Sequence, residues 1–171
     1  LSFRSLSTGT KNENFKNELL AGNSVSSVTM ASSNLTYVQN SGPNFDWEGK
    51  EPDKKVLIHV LSVDHDYVET FQIEVAHGRS FSKDIASDST AVMLNEEAIR
   101  KMGLQNPIGK KFIAGGWPFT IIGIVKDFHF KSVHEKIEPL VMFNNARVGN
   151  FFYVKINESN IQQRLKEIEA T

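Results

Sequence analysis

The side chains best placed for chemistry lie between residues 127 and 138. Asp127 and His129 stand two apart, which at a strand end puts both on one face, and His134 in the loop beyond completes a set of three ligands. Such a set would suit a metal-dependent enzyme holding Zn²⁺ or Mn²⁺. The run His134-Glu135-Lys136-Ile137-Glu138 falls short of the H-E-x-x-H zinc signature, because Glu138 stands where the second histidine belongs. Pro139 follows directly and opposes the regular helix that signature requires. A solvated loop after a strand accounts for the same residues without any metal. A second cluster, Asp64-His65-Asp66, reads as helix capping, its carboxylates accepting free backbone N–H groups. His59 sits inside an apolar strand and reads as a hydrogen-bonded core or face residue, and His77 reads as part of a turn at Gly78.

Phosphate and nucleophile chemistry fare worse. From Gly103 to Gly109 there are five intervening residues where a P-loop has four, and Lys111 replaces the hydroxyl that would bind Mg²⁺. A helix stop and a turn explain that stretch. There is no G-x-S-x-G elbow, and with no cysteine there is neither a thiolate metal site nor a disulfide framework. No catalytic residue, cofactor-binding residue or metal ligand is therefore assigned, and no cofactor is expected.

Among 171 residues, 19 basic and 20 acidic side chains leave a formal net charge of −1. That balance gives no reason to expect nucleic acid as a partner. The longest apolar runs, residues 56–61 and 119–125, are strand-sized and far from the roughly 18 residues of a membrane span. The chain starts at Leu1 without a signal-peptide pattern, so it reads as a piece of a longer protein.

Several elements can be read directly. Thr10 and Glu13 form a capping box at the start of a helix over 11–21, with Phe15 and Leu19 on one face and Gly22 ending it. Residues 1–7 contain a possible strand, and 25–31 alternate as another. Residues 32–54 are rich in Ser, Asn, Gly and Pro and read as a long loop, docked through Phe45 and Trp47. Strands are predicted over 55–63, 91–94, 111–114, 117–125, 140–143 and 151–156, with a short helix after Asp66. Asn95 caps a helix that has Glu96 and Glu97 at its positive end, Arg100 and Lys101 at its negative end, and Gly103 as its stop. Gly115-Gly116 suits a hairpin turn. A last helix starts with a Ser159/Gln162 capping box and carries Ile161, Leu165 and Ile168. The order gives an α+β fold in which similar ends surround a different middle.

The order of motifs from residue 60 to 139 carries a resemblance. Val63-Asp64-His65-Asp66-Tyr67, Gly78-Arg79-Ser80-Phe81-Ser82, Val92-Met93-Leu94-Asn95-Glu96-Glu97-Ala98, Asn106-Pro107-Ile108-Gly109-Lys110 and residues 119–129 follow one another, with Ile137-Glu138-Pro139 beyond. This series resembles the MacB-like periplasmic core domain of ABC-transporter permeases of the MacB/FtsX-like type, in the variant found in Bacteroidetes. The resemblance implies a porter-like, membrane-proximal α/β subdomain formed by residues 1–44 and 135–171. A sabre-like mixed subdomain, residues 45–134, is then inserted between them. It further implies a place on the periplasmic face of the bacterial inner membrane and a role in transmitting ATP-driven motion, with no chemistry of its own. The partners implied are a second copy or a related permease, a cytoplasmic ATPase domain or subunit, and a periplasmic or lipoprotein partner. A sensor or ligand-binding domain of a membrane receptor is the alternative, and the metal-dependent enzyme using Asp127, His129 and His134 stands third.

Overall fold

The apolar runs read as strands all join one mixed sheet, together with two short strands that the polar loop conceals. A computed structural model describes residues 2–4, 10–21, 25–34, 38, 40–130, 136–145 and 151–156. In chain order the elements are β1 (Ser2–Arg4), α1 (Thr10–Ala21), β2 (Val25–Ala31), β3 (Ser41–Gly42), β4 (Phe45–Trp47), β5 (Ile58–Val63), α2 (Tyr67–Thr70), β6 (Val75–Gly78), a 3-10 turn (Ala86–Thr90), β7 (Ala91–Asn95), α3 (Glu96–Met102), β8 (Lys111–Ala114), β9 (Trp117–Val125), β10 (Leu140–Asn144) and β11 (Phe151–Ile156). Gly22, the Thr10 side chain, the loop at 146–150 and the helix expected from Ser159 lie outside the described residues.

The sheet runs β1-β11-β2-β5-β10-β7-β9-β8-β4, with β3 beside β5 and β6 beside β9. β5 pairs β10 and β7 pairs β9 in parallel; the other pairs are antiparallel. The centre is covered on both faces, which is why β7 reads as an unbroken buried run. Met93, Leu140 and Met142 face one core with Leu61, Tyr67 and Val125. Val92, Leu94 and Val141 face the other, with Ala98 and Met102 of α3. The chain's ends meet: α1 lies on β2 and β11 over a third, smaller core of Leu19, Val28, Met30, Phe152 and Val154. Phe15 meets the Phe152 ring edge-on at 5.2 Å.

That end unit joins the rest of the sheet by a narrow seam. β2 and β5 share one register pair, Ala31 with Val63, flanked by Ser32 N–H donating to Ser62 O and Asp64 N–H donating to Met30 O.

Local rules explain most of the remainder. Asn95 Oδ1 accepts from Ala98 N at 3.0 Å, which is the expected N-cap, and Gly103 ends α3 by donating to Ile99 O. Gly115 and Gly116 both take positive φ, 58° and 83°, and turn β8 into β9. The edge strand β4 seals itself. Asp46 pairs inward with Ile113, so the Phe45 and Trp47 backbones face outward. Lys50 Nζ donates to Phe45 O, Lys50 N to Trp47 O, and Trp47 N to the Asp46 carboxylate. Little remains there to template another strand.

Gly78 and His77 differ from the sequence reading. They belong to β6, where Gly78 pairs with Gly123 of β9. A Cβ at Gly78 would stand 2.2 Å from Ile122 O, and one at Gly123 would stand 2.3 Å from Arg79 O. Two backbones approach too closely there for any side chain, and Gly78 also takes a left-handed φ of 77° at the strand's end, so the glycine serves both the contact and the bend.

Candidate functional site

Among the described residues Asp127 belongs to an ion-pair network with α3 and to no metal-ligand set. β9 ends at Val125, so the two-residue repeat that would align Asp127 with His129 has already stopped. Asp127 Oδ1 accepts from Glu97 N at 2.9 Å and Oδ2 from Arg100 at 2.6 Å, which binds the carboxylate to α3. His129 is exposed and His134 lies outside the described residues. Among the described residues no three or more His, Asp or Glu side chains converge as metal ligands. His59 is buried, as expected for a core histidine, with Nε2 2.9 Å from Glu138 Oε2.

Chemistry concentrates instead at the seam. Lys16 projects from α1 across to the turn after β5, where Nζ lies 2.5 Å from Asp64 Oδ2 and 2.5 Å from Asp66 Oδ2. Asp64 is fully buried. Its Oδ1 accepts the Thr29 hydroxyl from β2 and, at 3.2 Å, the Asp66 N–H. His65 Nε2 stands 3.2 Å from Asp66 Oδ2. Five side chains from α1, β2 and the β5–α2 turn thus form one ionic cluster.

The capping reading of Asp64-His65-Asp66 holds only for Asp64, whose Oδ1 accepts the Asp66 N–H. Asp66 stands at the N-cap position of α2 yet makes no side-chain capping bond. A lysine arriving from 48 residues upstream takes Oδ2 of Asp64 and of Asp66. A charged lysine outbids a neutral N–H for a buried carboxylate, because the ammonium would otherwise lie desolvated and unpaired.

The protonation of the cluster follows its geometry. Burial pulls the Lys16 ammonium down, but Asp64 and then Asp66 outweigh it and hold its pKa above the ordinary lysine value. The hydrogen bond from His65 holds Asp66 well below the usual carboxylate range against burial, with Lys16 adding to it. His65 is raised in turn, chiefly by that bond to Asp66. Each shift favours the charged form of its group, Lys16 and His65 upward and Asp66 downward. Beside them a cleft of about 560 Å³ is lined by Leu20, Val28, Asp66, Gln72 and Lys155 among others.

The sequence held one signal for Lys16. Asn12, Phe15, Lys16 and Leu19 follow an i, i+3, i+4, i+7 pattern, and Asn12, Lys16 and Leu19 are buried. A lysine within an inward stripe calls for a buried carboxylate, although the pattern does not say which one.

Another carboxylate is held elsewhere. Asp88 takes a bidentate contact from Arg79, at 2.8 and 2.6 Å, and the Ser82 N–H at 2.8 Å, closing the loop of the Gly78–Ser82 motif. Arg79 keeps the Asp88 pKa low. Asn95 also does more than cap. Its Oδ1 accepts from Leu140 N at 2.8 Å and its Nδ2 donates to Glu138 O at 2.9 Å, fastening α3 to the start of β10.

This mixed sheet, in which strands from both chain ends pair, gives a fold shared with known extracytoplasmic domains. The periplasmic region of MacB from Actinobacillus actinomycetemcomitans superposes with a TM-score of 0.68 at 19% identity, covering 98% of this chain and 78% of that one. The extracellular domain of the ABC-type transporter YknZ from Gram-positive bacteria gives 0.61 at 17% identity, with the same coverage. No curated protein matches the chain. The fold class is thus that of extracytoplasmic domains of ABC-type transporters. The model of the MacB-like periplasmic core domain matches residues 5–170, and the chain belongs to that family. It is a periplasmic domain of the MacB-like permease type, and no helix among the described residues is long and apolar enough to cross a membrane.

Proposed function

We propose that this domain passes ATP-driven displacement from the cytoplasmic side of a permease to a substrate or partner outside the membrane, through the Lys16 cluster. The observation that carries the reading is the seam. β2 and β5 share one register pair, Ala31 and Tyr153 join the core of Val63 and Tyr67, and across the seam runs a buried lysine held by two carboxylates. A charge pair deprived of water keeps its geometry, because separating it would strand a desolvated charge. A pull on α1 is then felt at β5.

The reading keeps the division into an end unit, 1–44 with 135–171, and an inserted unit, 45–134. The separate apolar core under α1 supports it. β10 comes from the end segment yet pairs between β5 and β7, so the two units are threaded together and not merely linked. The proposed setting is the periplasmic face of the bacterial inner membrane. The domain would pair there with a second or related permease and act on a periplasmic or lipoprotein partner, with a cytoplasmic ATPase supplying the work.

The test uses the full-length permease with its ATPase in membranes. Spin labels on exposed positions of two paired domains should change separation on ATP binding, and Lys16→Met should uncouple that change from ATP turnover. Recovery of the full-length protein as a membrane-free species would sink the proposal, as would unaltered coupling in the variant.

A further inference from the structure

A second cleft opens at the other end of β5, well away from Lys16. It measures about 440 Å³, and Lys54, Lys55, Lys101 and Lys136 line it with Leu57 and Pro139. Its origin lies in the ladder. His59 N–H donates to Pro139 O at 2.8 Å, in the parallel pattern of β5 with β10. The next donor in that pattern would be the N–H of residue 139, aimed at Leu57 O, and proline has none. The ladder stops there, β5 starts at Ile58, β10 starts at Leu140, and the two segments part. Leu57 is left 53% exposed, with its carbonyl without a hydrogen bond among the described residues.

The charge around this opening is one-sided. Both carboxylates that line it are engaged, Glu97 with Arg100 at 2.6 Å and Glu138 with His59 at 2.9 Å. Lys101 reaches Glu97 at 3.7 Å. Lys54, Lys55 and Lys136 pair with no carboxylate among the described residues. The excess is local, since the whole chain carries −1.

We infer that this cleft binds an extended, acidic segment of a partner protein. Its carboxylates would meet Lys54, Lys55 and Lys136, an apolar side chain would cover Leu57 and Pro139, and its backbone would supply the N–H that Pro139 lacks. Adding a strand-like peptide where a ladder breaks off uses main-chain bonds for affinity and side chains for choice. A lipid surface would use the lysines but offers no donor for the Leu57 carbonyl. The inference goes beyond the transmission reading and does not depend on it, because binding is a property of this chain alone.

The probe is a fluorescein-labelled peptide of about eight alternating Glu and Leu residues, long enough to form a strand, titrated into the chain and followed by polarisation. Saturable binding is expected. It should weaken by about tenfold or more in Lys55→Glu/Lys136→Glu and on raising salt, since exposed pairs are screened. Leu57→Ser, which leaves every charge in place, should weaken it several-fold, and a Lys/Leu peptide should not bind. Matching thermal melts exclude unfolding as the cause. Unchanged affinity in either variant, or absence of saturation at about 1 mM, a free energy near −4 kcal/mol, overturns the inference. So does sedimentation with phosphatidylglycerol vesicles by a chain that ignores the peptide.

Discussion

Replacing Lys16 with methionine tests the seam most directly. Methionine keeps much of the stem volume but leaves Asp64, with no solvent exposure, holding only the Thr29 hydroxyl and the Asp66 N–H. Removing one partner of a buried pair costs about 3–5 kcal/mol, because the other charge stays buried. The bonds that Asp64 retains place the expectation at the lower end, about 3 kcal/mol. For a chain of this size that corresponds to a fall of roughly 6–12 °C in Tm, at about 2–4 °C per kcal/mol. Asp64→Asn alone should also destabilise. Lys16→Met with Asp64→Asn should cost less than the sum of the two, because no net charge is then stranded. Urea melts of the four proteins give the coupling directly. A cost below about 0.5 kcal/mol for Lys16→Met, or a coupling near zero, lies in the range of ordinary surface changes. Either result would refute the view that this lysine pins the two parts.

The pH dependence of the same cluster follows from the signs. His65 is raised when folded, so its contribution is full below about 6.5, its unfolded value, and fades as pH rises through the folded value. Asp66 is depressed, so its contribution is present above about 3.9 and is lost as pH falls toward the folded value. The two overlap between roughly pH 4 and 6.5, and wild type minus His65→Gln in chemical melts should be larger at pH 5.5 than at pH 8.5. Gly123→Ala should lower stability by about 2–4 kcal/mol, since its methyl would stand 2.3 Å from Arg79 O; a neutral melt would remove the close-approach account. Asn95→Ala should cost about 2–4 kcal/mol through three lost hydrogen bonds. The discriminating readout is faster amide exchange at Ala98 and Leu140 together. Asp88→Asn should weaken the Arg79 clamp and raise protease cleavage between residues 80 and 90, while an unchanged digest would show the loop is held by other contacts.

Legibility in the sequence tracks how local the deciding interaction is. α3, its Asn95 cap and its Gly103 stop are settled within a few residues, and so is the Gly115-Gly116 hairpin; all of these were readable. β3 and β4 were not, because strands of two and three residues show no periodicity and form only where β5 and β8 accept them. Phe45 and Trp47 are the signal that this polar stretch is docked, and Trp47 is buried. Asp64 and Asp66 matched a capping pattern, and only the fold shows that a lysine 48 residues away competes for them. Asp127 and His129 illustrate the converse. Their spacing suited a strand face, but β9 ends before them, and Arg100 claims the carboxylate.

β5 connects the Lys16 cluster with the lysine-lined cleft. Its last residue leads into Asp64 and the Lys16 cluster, and its first follows Leu57 and the lysine cleft. Seven residue steps of extended chain lead from Leu57 to Asp64, about 23 Å at roughly 3.3 Å per step. Along that length β5 is paired on one side with β10 and on the other with β3 and then β2, so its backbone bonds hold it straight from both edges. Pro139 ends the ladder at one end, and the seam thins to a single pair at the other. The stiffest part of the strand therefore lies between two joints. Under the proposed transmission, a displacement of α1 enters through Lys16 because the β2–β5 seam is too narrow to carry it alone. It leaves at the cleft because the ladder there has already opened. Under that reading, the buried charge pair at one end of β5 and the Leu57 carbonyl at the other are the two points through which motion would be linked to binding.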